Sequence, residues 1–78
     1  MTLSKQDLAA NAIRDMFLSK QYRGRIPFSD IDTVLKSPAW HRAYGKKPLK
    51  SAWKSMVKGQ YATPSKDGIW VWFLVEEK

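Results

Sequence analysis

Seventy-eight residues without a cysteine leave room for one domain and no second, and they exclude disulfides and thiolate metal sites. With 44% hydrophobic and 27% charged residues the composition is globular, and no run approaches the ~20 apolar residues that a bilayer span needs. Fourteen Lys and Arg against seven Asp and Glu give a net charge of +7, which favours nucleic acid or another acidic surface as partner over the bland alternative of a merely soluble basic domain.

The chain opens with a helix signal. Ser4 followed by Asp7 predicts an N-cap, Leu3 and Leu8 occupy the positions of a hydrophobic staple, and Leu8, Ala9, Ala12, Ile13, Met16 and Phe17 repeat at helical spacing. The helix is expected to end near Gln21. Arg23-Gly24-Arg25 breaks the pattern, and Arg25-Ile26-Pro27-Phe28 reads as a short extended piece, on an edge because proline cannot donate to a ladder. Ser29 with Asp32 is a second cap signal for a short helix whose apolar face is Ile31, Val34 and Leu35, and Asp30 and Asp32 read as N-terminal helix charges. At Ser37-Pro38 the helix stops or restarts. Pro38 to Tyr44 forms a further short helical segment closed by Gly45, burying Trp40 and Tyr44.

Pro48 is expected to open the next helix, where Leu49, Ala52, Trp53, Met56 and Val57 give the cleanest helical period in the chain. Gly59 is expected to end it as a left-handed residue. Two strands follow, Gln60 to Thr63 and Ile69 to Val75, joined by a turn through Pro64-Ser65-Lys66-Asp67-Gly68. Glu76, Glu77 and Lys78 read as a frayed polar end.

Charge is unevenly distributed along this plan. Between Asp32 and Asp67 there is no acidic residue, yet Lys36, Arg42, Lys46, Lys47, Lys50, Lys54, Lys58 and Lys66 fall there. Lys50, Lys54 and Lys58 recur at four-residue spacing and line one helical face, with Ser51 and Ser55 beside them. Such a stripe engages phosphates, the alternative being a solvated face that balances an apolar one. No Arg, Asn or Gln stands on that face, so Ser51, Ser55 and Lys54 are the base-contact candidates and modest sequence specificity is expected. Lys66, Arg23 and Arg25 are further phosphate candidates, each weighed against an ordinary surface charge. Trp70 and Trp72 share one side of the last strand with Leu74, while Ile69, Val71, Phe73 and Val75 share the other. If the Trp pair is exposed, it forms a stacking platform or a protein contact.

Catalysis has little to stand on. His41 has no cysteine or carboxylate beside it and reads as a surface or packing residue, and neither a metal cluster nor a phosphate-cradling glycine loop appears. No enzyme activity and no cofactor are expected.

The order helix, short strand, helix, helix, strand, turn, strand resembles a winged helix-turn-helix domain. The resemblance covers nearly all of residues 1–78 and rests on element order and charge placement rather than on a signature motif. It implies an α+β fold with three main helices, a C-terminal hairpin wing and a short third strand at Arg25 to Phe28. Pro48 to Lys58 would be the recognition helix and Ser65 to Gly68 the wing tip. Ser37 to Lys47 departs from the family's three- to four-residue turn. The function this implies is non-catalytic binding of double-stranded DNA by a monomer or weak homodimer acting as a small regulator or architectural factor, excisionase-like proteins being one such kind. A protein-binding module or inhibitor using the Trp70 and Trp72 face, or a single-stranded nucleic-acid binder, is the alternative. The residues after Met1 are mostly polar and predict no signal peptide. A cytoplasmic setting is expected, on the nucleoid if the source is bacterial or phage.

Overall fold

The computed structural model describes residues 3–74. Four helices and a three-stranded antiparallel sheet follow in the order α1 (Lys5–Lys20), β1 (Arg25–Pro27), α2 (Phe28–Lys36), α3 (Pro38–Tyr44), α4 (Lys46–Lys58), β2 (Ala62–Pro64) and β3 (Trp70–Phe73). The expected count of three main helices is corrected to four, because the segment after Pro38 is a helix in its own right. β3 lies between the two others, pairing Ile26 with Val71 and Thr63 with Trp72. β1 is therefore an edge, as Pro27 requires.

One cluster of buried side chains holds these elements together. It takes Ala9, Ile13 and Phe17 from α1, Ile31 and Val34 from α2, Leu49, Ala52, Trp53 and Met56 from α4, and Ile26, Ala62 and Val71 from the sheet. Burying a side chain such as Phe17 or Leu49 stabilises the fold by about 1.5–3 kcal/mol. Phe17 also stacks on Phe73 with ring centroids 4.0 Å apart, clamping α1 to the central strand. α3 contributes no fully buried residue; Trp40 and Tyr44 lie half-buried against the core with their rings 5.5 Å apart.

Several local expectations are corrected. Ser4 accepts a hydrogen bond from the Asp7 N–H (3.1 Å), but both staple residues are exposed, Leu3 at 50% and Leu8 at 44%. Ser29 does not cap α2. The strand runs straight into the helix through Pro27, and the Phe28 N–H, an orphan of the first turn, donates instead to the Ile69 carbonyl of the sheet (2.7 Å). Asp32 then falls in the second turn, where it pairs with Lys36 across 3.1 Å. α4 begins two residues before Pro48, since a proline in the first turn forfeits only an N–H that has no helical partner.

At its other end α4 closes through a left-handed Gln60 (φ 63°) while Gly59 keeps an ordinary φ of −80°. The Tyr61 N–H reaches the Met56 carbonyl (2.9 Å) and the Gln60 N–H the Val57 carbonyl (3.1 Å), the paired bonds of a Schellman ending. The hairpin strands are accordingly shorter than expected, starting at Ala62 and ending at Phe73. Ile69 precedes β3 and is 57% exposed, so it does not join Val71 and Phe73 on the core side. Val75 and the polar end at 76–78 lie outside the described residues.

Candidate nucleic-acid interface

α4 buries one side and exposes the other. Leu49, Ala52, Trp53 and Met56 are buried, whereas Lys46, Lys47, Lys50, Ser51, Lys54, Ser55 and Lys58 are all exposed. Projected at 3.6 residues per turn, Lys47, Ser51, Lys54 and Lys58 lie opposite the buried side. Lys46 and Lys50 sit on the flank toward α2, lining a groove with Asp32, Leu35 and Lys36. Ser55 sits on the other flank, in a groove between α1 and α4 that Arg14, Asn11 and Tyr61 also line. Lys36, already part of the acid-free basic stretch, thus borders this face together with Asp32, and Arg14, which the sequence did not single out, borders it together with Asp7.

The charge arrangement works against helix stability. Lys46, Lys50, Lys54 and Lys58 form three successive like-charge pairs at four-residue spacing, each destabilising an isolated helix by about 0.2–0.5 kcal/mol. Lys46 and Lys47 occupy the first turn, at the positive end of the helix dipole, with no acidic residue and no side-chain cap there. Among the described residues the one ion pair is Lys36 with Asp32, so no α4 lysine is neutralised by a carboxylate. An approaching polyanion offsets all of these costs together. Glycine makes the geometry possible at the start of α4. Gly45 (φ 92°) is at once the end of α3 and the cap of α4, and a Cβ there would stand 3.0 Å from the Pro48 ring.

The hairpin tip is built around Asp67. Its Oδ1 accepts from the Ser65 hydroxyl and from the Ile69 N–H (3.0 Å), while the Ser65 Oγ accepts from the Trp70 N–H (3.1 Å). The Ser65 hydroxyl foremost, and then the Ile69 N–H, stabilise the ionised carboxylate and hold it below the ordinary aspartate range. Gly68 supplies the left-handed turn at φ 74°, and Lys66 is exposed beside it.

Arg25 lies with the sheet tryptophans and not with the α4 lysines. Arg23 is exposed, its guanidinium 5.2 Å from the Tyr22 ring centre, and Arg25 lies on the outer face of the sheet, 4.2 Å from the Trp70 ring and 5.4 Å from that of Trp72. The outward positions of the three strands are Arg25, Pro27, Thr63, Trp70 and Trp72, and Trp72 is 45% exposed. The Trp pair therefore does face outward, with Arg25 laid over it. Strand alternation signals that face, but the cross-strand pairing of Arg25 with Trp72 comes only from the sheet register.

His41 is engaged in the fold, its Nε2 donating to the Leu35 carbonyl at 2.6 Å. Among the described residues no three His, Asp or Glu side chains gather as metal ligands would, and no helix is long and apolar enough to cross a membrane. No family model matches the chain, and no curated protein or solved structure matches it either.

Proposed function

We propose that this chain is a non-catalytic double-stranded DNA-binding domain of the winged-helix kind, with α4 as the helix that enters a groove and Ser65 to Gly68 as the wing. The single observation that carries this reading is the exposed side of α4: five lysines along its length, three opposite the buried side and two on the flank toward α2, none in an ion pair among the described residues and retained at a cost to the helix itself. A helix about 10–12 Å across matches the ~12 Å major groove. Apart from the additional helix α3, the order helix, strand, helix, helix, strand, strand is compatible with this reading. α3 stands where the family has a short turn, and it joins α2 to α4 without a loop.

Lysines at Lys46, Lys47, Lys50, Lys54 and Lys58 are point charges, suited to phosphates more than to base edges. Affinity should therefore depend steeply on salt and weakly on sequence, as in a small regulator that reads DNA shape or an architectural factor. Fluorescence anisotropy with a labelled duplex across a salt series tests this. Five neutralised phosphates give a log-log slope of about −4.5. The double variant Lys50→Glu/Lys54→Glu should lose duplex binding at low salt while keeping its circular dichroism spectrum, and unaltered binding by that variant overturns the reading.

A further inference from the structure

We propose a second binding site on the outer face of the sheet, one that takes unpaired nucleotides of a single strand. It is made of Arg25, Trp70 and Trp72, and it stands apart from α4, on the side of the sheet that turns away from the shared core. None of the outward strand positions carries an acid; they are Arg25, Pro27, Thr63, Trp70 and Trp72. A nucleotide combines a flat ring with an anion, and this face offers two flat rings and a cation, with the Arg25 guanidinium 4.2 Å from the Trp70 ring centre and 5.4 Å from that of Trp72. Bases in a duplex are stacked on one another and cannot lie on an indole, so the occupant is unpaired.

Arg25 strengthens the case. Its Nε is enclosed and has no hydrogen-bond partner, so the guanidinium over Trp70 holds an unspent donor. Turning toward a phosphate satisfies that donor and uncovers Trp70 for a base, while Trp72 is already 45% exposed for another. A second copy of the chain is the less suitable occupant, because a two-fold contact through this face would set Arg25 against the same arginine of its mate.

The test uses the full chain with Lys50→Glu/Lys54→Glu, which weakens the α4 contribution, and follows the indole N–H resonances of Trp70 and Trp72 by NMR. Ten-nucleotide oligo-dT and oligo-U are titrated in parallel with a blunt duplex. The expected result is a shift of both indoles with either single strand and none with the duplex, the tighter of the two strands identifying DNA or RNA as the source. Trp72→Ser should weaken single-strand binding by roughly tenfold, Trp72→Phe should largely restore it, and Arg25→Ala should flatten its salt dependence. Silence of both indoles with both strands, an equal response to duplex, or unchanged affinity of Trp72→Ser would overturn the site. So would a molecular mass that rises with concentration and falls back in Trp72→Ser, since the face would then be a contact between copies.

Discussion

His41 donates from Nε2 to the Leu35 carbonyl across 2.6 Å, so a side chain of α3 closes the carbonyl end of α2. The same junction is held from the other direction by Ser37, whose N–H donates to the Val34 carbonyl (3.3 Å) and whose Oγ accepts from the Trp40 N–H (3.4 Å). α2 and α3 are thus two helices locked at one residue, and the direction in which α3 delivers the chain to α4 follows from that lock. Replacing His41 with Ala should leave the Leu35 carbonyl without its partner and cost about 1–2 kcal/mol. Thermal unfolding should report a midpoint lowered by roughly 4–15 °C, and an unchanged midpoint would show that water replaces the imidazole at no loss.

Gly45 governs the next junction. Its φ of 92° is open to glycine and strained for any other residue, and the Pro48 ring leaves little room for a Cβ. Gly45→Ala should destabilise by about 1–3 kcal/mol. Since the Cβ would press on Pro48 in the first turn of α4, a shift of α4 is expected, and duplex affinity at a temperature where the variant is still folded should fall as well, which anisotropy measures directly.

Gln60 presents the reverse case. It holds the left-handed position that ends α4 (φ 63°), and it is exposed. Gln60→Gly should therefore remove a Cβ penalty and stabilise the domain by about 0.5–1 kcal/mol, read as an increase in the urea midpoint at constant m. A decrease would mean that the unfolded chain gains more freedom from the glycine than the turn gains relief.

The Asp67 network makes the hairpin tip sensitive to acid. Because the folded carboxyl ionises below its ordinary range, its contribution is complete above the unfolded pKa and is lost as pH falls through the lower, folded one. Following the Ile69 amide by NMR from pH 6 to about pH 2 should show its hydrogen bond to Asp67 weakening only in the last part of that titration, below the unperturbed value of about 3.9. Asp67→Asn should abolish that acid transition while the core resonances keep their positions.

How much of this could be read without coordinates depends on the range of the interaction involved. The apolar repeat of α4 and the Ala9, Ile13, Phe17 series of α1 were legible because a helix writes its buried face at a spacing of three and four residues. The lysine face was legible for the same reason, as the complement of that repeat. Pro38 as a helix start and Gly45 as a helix end follow from backbone chemistry at single residues.

What lay beyond the sequence was decided by partners remote along the chain. Ser29 is a good cap by type, yet α2 already starts at Phe28, whose N–H donates to the Ile69 carbonyl some forty residues on, so Ser29 lies inside the first turn. Arg25 reads as one more cation until antiparallel pairing sets it beside Trp72 and over Trp70. Leu8 fits the apolar repeat of α1 but is 44% exposed, whereas Ala9 beside it is fully buried in the core. Local periodicity determined which residues are helical and which side of α4 is cationic. Only the folded chain decided what lies against each side, since a contact between residues far apart in sequence leaves no periodic trace in either segment.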